Sequence, residues 1–156
     1  MRAVLPLVVI SDHLLGGIAA EAPIWKNLLH CIVGIGLREE LFKTLFLLPL
    51  LAYLPRVQNG PQILATCALV GLGFAINENT LYYLRSSGSA VVARFLTASF
   101  LHMILTGTIG FYLVRAVRKQ TMAAWNDAAL TFVQMVLAHG IYDFFLLEER
   151  LGDFSI

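Results

Sequence analysis

The stretch AVVARFLTASFLHMILTGTIGFYLVR, residues 90–115, decides the fold. It exceeds the roughly 20 apolar residues that carry an α-helix across a bilayer. It lacks the period-two alternation of a half-buried strand, so it reads as a transmembrane helix with one histidine, His102, inside it. The rest of the chain has the same character. Of its 156 residues, 58% are apolar and 13% charged, with a mean hydropathy of +0.76; a soluble domain averages about 25% charged residues. This excludes a water-soluble globule. Disorder is excluded too, because it needs low hydrophobicity and high net charge. A formal net charge of +1 provides no basic stripe for nucleic acid.

Cutting the remainder at its polar and Pro/Gly-containing breaks gives further segments. Val4 to Ala20 ends at Glu21-Ala22-Pro23, and Trp25 to Leu54 is too long for one simple span, with Gly34-Ile35-Gly36 offering a hinge. Pro61 to Leu84 and Ala123 to Leu147 flank the quoted stretch. The expected fold is an all-α, polytopic transmembrane helical bundle of about five spans, with residues 1–156 forming one integral-membrane domain. Ala3 to Ile10 looks like a span entered partway, as in a trimmed piece of a longer protein. Arg56, Arg115, Arg118 and Lys119 share one side and place it in the cytoplasm. Cys31 and Cys67, with no CxxC, read as small core hydrophobes. Gly71, Gly73, Gly107 and Gly110 read as sites of close helix approach.

Ionisable residues inside spans cost about 2.5–3.5 kcal/mol each on insertion scales and point to function. Glu39, Glu40 and Lys43 lie in the second segment, Glu78 and Asn79 in the third, His102 in the fourth, His139 and Asp143 in the fifth. Their i,i+4 spacings give each helix a one-faced polar strip. At 1.5 Å per residue, Glu39/Glu40, Glu78, His139 and His102 fall about 8, 9, 12 and 18 Å deep from the non-cytoplasmic side. The expectation is one buried polar site in the outer half of the membrane. Plainer readings attach to single residues: an ion pair for Glu39/Glu40 with Lys43, a bond to a neighbouring helix for Asn79, an aromatic belt for Tyr82, Tyr83 and Tyr142. His13, Asp12 and His30 read as structural or interfacial.

Among membrane-embedded proteases, the zinc type with His-Glu-x-x-His is excluded because the string is absent. The only Gly-Ser, Gly88-Ser89, sits in a loop, and for an aspartyl type Tyr142-Asp143 offers one half while Gly152-Asp153 follows too closely and outside the membrane. Glutamate with histidine remains: a carboxylate takes a proton from water while an imidazole or amide stabilises the oxyanion. A proton-coupled transporter would spread charges along a route to both faces. A haem carrier on His102 and His139 would leave the glutamates unexplained. A non-catalytic membrane binding module is the third rival.

Glu39-Glu40-x-x-Lys43, Phe74-x-x-x-Glu78-Asn79-x-x-Tyr82, His102-x-x-x-Thr106-Gly107 and His139-Gly140-x-Tyr142-Asp143 resemble the PrsW family of intramembrane proteases over about residues 37–145. That family is similar to the CAAX-prenyl endopeptidases and bacteriocin-processing enzymes. The resemblance implies an intramembrane protease in a prokaryotic plasma membrane, cutting a single-span or membrane-tethered protein such as a transmembrane anti-sigma factor. It implies Glu39 as the water-activating base, Glu40 held by Lys43, and His139 with Asp143 lining the oxyanion site. Glu78 stands where the CAAX-type enzymes have histidine, so His102 supplies the imidazole instead. The catalytic set is thus Glu39, Glu40, Glu78, His102 and His139, supported by Lys43, Asn79 and Asp143. A metal-free mechanism is the preferred expectation; Glu39, Glu78, His102 and His139 form the set for zinc.

Overall fold

The computed structural model describes residues 18–19, 21–57, 59–84 and 89–148. The expected span from Val4 to Ala20, with Asp12 and His13, falls almost wholly outside them. The described elements are all helical: α1 (Ile24–Leu29), a π-helical stretch (His30–Leu37), α2 (Arg38–Leu51), α3 (Leu54–Val57), α4 (Gly60–Tyr83), α5 (Ser89–Lys119) and α6 (Met122–Leu147). The overlong second segment is resolved by the π-helical stretch. It contains Gly34 and Gly36, the expected hinge, so the helix passes from α to π and back without a break.

Three helical stretches, Gly60–Thr80, Arg94–Lys119 and Met122–Leu147, are long and apolar enough to cross a membrane. Their surfaces are those of a protein solvated by lipid. Leu69, Phe100, Ile104 and Leu130 are exposed, whereas His102, Thr106 and His139 are buried. The protein is an all-α, polytopic integral membrane protein.

The chain divides into two compact units: residues 1–39 with 136–156, and residues 40–135. In the larger unit, Leu47, Leu54, Ile63, Cys67, Ile109 and Val114 form the core. The neighbouring helices α4 and α5 approach closely where side chains vanish. A Cβ on Gly71 would collide with the His102 carbonyl oxygen, and one on Gly110 with Cys67. Gly73 corrects the expectation, because a Cβ there meets nothing within 4 Å; it sits on the α4 face turned away from α5. Arg118 closes one end of this unit by donating to the carbonyls of Pro55 and Leu54, at 3.0 and 3.3 Å. Those carbonyls lie where helical pairing is interrupted, and the guanidinium replaces the missing donors.

The smaller unit is also assembled through glycine and a polar clasp. A Cβ on Gly36 would lie 2.8 Å from the Val136 carbonyl oxygen and 3.0 Å from the Gly140 nitrogen. The amide of buried Asn27 donates to Glu148 Oε2 at 2.8 Å and to the Ala19 carbonyl at 3.0 Å. Cys31 and Cys67 are both buried free thiols, as expected of core residues.

These contacts predict opposite responses at two glycines on one helix. Gly71→Ala is expected to lose about 1–3 kcal/mol by overpacking against backbone that cannot move away. Gly73→Ala is expected to be near-neutral, because the added methyl meets open space. Thermal unfolding of both variants in detergent micelles reads the difference.

Candidate active site

In the larger unit, five side chains from three helices form one continuous chain of polar contacts. Lys43, on α2, places its ammonium 2.7 Å from Glu40 Oε1 and 2.6 Å from His102 Nδ1. The other ring nitrogen, His102 Nε2, lies 2.9 Å from Glu78 Oε2 on α4. Arg94, on α5, donates to the second oxygen of that carboxylate, Glu78 Oε1, at 2.8 Å. Lys43 and Glu40 are wholly buried, whereas the Glu78 side chain is 29% exposed, so the chain of contacts runs from the interior to a half-open end.

The local sequence explains the assembly. On α2, Lys43 uses its i,i+3 spacing to Glu40, the pairing expected for the supporting glutamate. Phe74 precedes Glu78 by one turn and covers the buried end: its ring lies 4.6 Å from the Lys43 ammonium and 5.6 Å from the His102 ring. A cation against an aromatic face gains about 0.5–2 kcal/mol where water is excluded. Asn79 turns to α5 and donates to Ser99 Oγ at 3.2 Å, the neighbouring-helix bond that the plainer reading anticipated.

In the smaller unit, His139 Nε2 faces two carboxylates. Glu39 Oε2 lies 3.6 Å away and Asp143 Oδ2 3.4 Å away. The His139 and Asp143 contact follows from their i,i+4 spacing on α6. Gly140, between them, lets this helix approach Ile32 closely. The arrangement is an acid–histidine–acid cluster, able to hold a proton between groups.

Of the sequence-derived site residues, Glu39, His139 and Asp143 belong to the smaller unit, and Glu40, Lys43, Glu78 and His102 to the larger. The Tyr82 side chain lies outside the described residues, and Tyr83 is exposed. Sequence reasoning missed Arg94, whose partner Glu78 lies on a different helix. It also missed Glu148, which reads as the polar end of a span but is buried against Asn27.

Helices of bilayer length carrying carboxylates and histidines in buried clusters define a polytopic membrane protein with chemistry inside its spans. The chain matches the family described as PrsW family intramembrane metalloprotease over residues 2–155, and it belongs to that family. A relative described as Protease PrsW, from Geobacillus kaustophilus (strain HTA426), is 37% identical over 89 residues, covering 54% of this chain and 38% of the relative. The match therefore spans well under half of that relative's length. No solved structure matches the chain.

Lys43 offers the sharpest test of the larger cluster. Lys43→Met leaves Glu40 and His102 buried without their shared cation and is expected to cost about 3–5 kcal/mol. Lys43→Met combined with Glu40→Gln, which removes the stranded charge, should recover a substantial part of that loss. A double-mutant cycle of unfolding free energies in micelles measures the coupling.

Proposed function

We propose that residues 1–156 work as one intramembrane endopeptidase domain that hydrolyses a peptide bond of a single-span or membrane-tethered protein. The observation that carries this reading is the buried cluster in which Glu39 and Asp143 both face His139 Nε2, at 3.6 and 3.4 Å, in a chain of the PrsW family. Burying two carboxylates beside one imidazole is costly in a membrane protein unless the groups are used. In this reading Glu39 accepts the proton of the attacking water, and His139, oriented by Asp143, stabilises the developing oxyanion. Glu40, Lys43, His102 and Glu78 hold the supporting chain of contacts, and Asn79 ties its helix to the next.

The family's description as a metalloprotease supports a second version. Tetrahedral zinc with bonds of about 2.0–2.2 Å sets its donor atoms about 3.3–3.6 Å apart. Glu39 Oε2 and His139 Nε2, 3.6 Å apart, have that spacing, so this pair could supply two of the ligands. A bound zinc would supply Lewis acidity and a hydroxide-like water near neutral pH. Glu39 would then be a ligand rather than the proton acceptor. In this reading the basic residues Arg56, Arg115, Arg118 and Lys119 face the cytoplasm, and the scissile bond would lie near the outer face.

Both versions make Glu39→Gln inactive. The expected loss is about 10²- to 10⁴-fold, read by profiling new protein N-termini in membranes holding wild type, Glu39→Gln or His139→Ala at equal abundance. Termini found only with wild type establish proteolysis and identify the substrate. Their absence in cells that contain membrane-anchored candidates would remove the protease reading. Chelation separates the versions: activity lost to a chelator and restored by zinc selects the metal, and full activity after chelation selects the glutamate mechanism.

A further inference from the structure

We propose that a lipid-facing groove of the larger unit docks the transmembrane helix of the protein substrate, an inference that rests on the protease reading above. The groove lies between α2, α5 and α6 and encloses about 390 Å³. Its floor is buried, with Ile109 and Ala128 lining it, and its rim is open, with Leu41, Trp125 and Val133 about half exposed. The α6 wall runs from Trp125 to Val133, eight residues or about 12 Å of helix rise. That is more than a third of the roughly 30 Å hydrocarbon core, so the recess suits a rod lying along the bundle.

Two features favour a polypeptide helix over a lipid chain as the occupant. The wall contains one polar group, Thr44, whose hydroxyl is buried and has no hydrogen-bond partner. A buried hydroxyl without a partner is a cost that an acyl chain cannot relieve, whereas a helix relieves it with a serine or threonine hydroxyl or a backbone carbonyl. The middle of the α6 wall is Ala128 and Ala129, and small residues at such a place let a second helix backbone come close. The position of the groove connects it to the chemistry. Leu41 directly follows Glu40 on α2, the helix that carries both glutamates, so a substrate helix held here runs beside that helix and is delivered sideways from the bilayer.

The test reconstitutes the full chain in liposomes with the single-span protein named by the N-terminus profile. Ala129→Trp fills the groove from an exposed position and is expected to raise KM about tenfold or more with kcat unchanged, the pattern of lost binding rather than lost turnover. Thr44→Val, of nearly the same shape, should raise KM about threefold, as for one interhelical hydrogen bond in a membrane protein. Leu130→Trp, exposed on α6 but outside the groove, should leave both constants unchanged. Unchanged kinetics or a fall in kcat alone in Ala129→Trp, an equal KM rise in Leu130→Trp, or an unchanged KM in Thr44→Val overturns the proposal. A second arm needs no turnover, and it decides alone if Ala129→Trp does not fold. The photoreactive variant Val133→p-benzoylphenylalanine is irradiated in cell membranes and its adducts are mapped by mass spectrometry. An adduct to the apolar span of the cleaved protein supports docking, and adducts confined to lipid, to a second copy or to another segment of this chain overturn it. Absence of cleavage by wild type defeats the protease reading. The groove is then judged by the adduct: one on the span of an identified single-span protein, lost on adding Ala129→Trp, supports helix docking, and any of the other three overturns it.

Discussion

A lysine ammonium sealed inside a membrane protein is the constraint on which the larger unit depends. Lys43 cannot reach water, and an unpaired charge at such a position costs several kcal/mol. Its neighbours on all three helices follow from that requirement. Glu40 supplies the counter-charge, the His102 Nδ1 lone pair takes a second ammonium proton, and the Phe74 ring supplies a negative face. Gly71 completes the arrangement, since only a residue without a Cβ lets α4 lie against the His102 carbonyl. The polar chain and the small-residue packing are two aspects of one condition: the helices must come close enough for short contacts around a buried cation.

The sequence made the helices and most of the site residues legible, because hydrocarbon imposes a simple code. A span must be long and apolar, and every ionisable residue inside it stands out. Glu39, Glu40, Lys43, Glu78, His102, His139 and Asp143 were all visible on that ground. Arg94 was not, because a basic residue near a helix end is normally read as an anchor at the interface. Only the shared carboxylate on a different helix reveals its direction, and no one-dimensional spacing encodes that. Glu148 was missed for the same reason: its partner Asn27 is 121 positions away. The glycines show the complementary limit. Gly71 and Gly73 are two residues apart with the same composition around them, yet one abuts backbone and the other open space. Helical phase decides, and the apolar pattern of α4 is too uniform to set that phase.

The π-helical stretch before the glutamates is a similar case. Gly34 and Gly36 signalled a departure from regular helix, and the departure occurs there, but its form was not predictable from glycine alone. In the structure it is a change of hydrogen-bond register, which keeps the backbone paired. That distinction matters in lipid, where an open hinge would leave backbone groups without partners at a cost of several kcal/mol each. A π-helical stretch redirects the side chains that follow without that penalty. Gly36 also lets this segment meet the Val136 carbonyl, so one residue serves both the backbone change and the packing.

The double glutamate gains a physical meaning from these contacts. Consecutive residues on an α-helix point about 100° apart, so Glu39 and Glu40 cannot both face the same partner. The structure assigns them separately: Glu40 to the Lys43 ammonium, Glu39 to His139. Replacing either by an apolar residue leaves a charge or an imidazole in a low-dielectric interior with one partner fewer. The pair is therefore a division of labour fixed by helix geometry. One carboxylate holds the buried cation, and its neighbour, 12% exposed rather than sealed, faces the histidine.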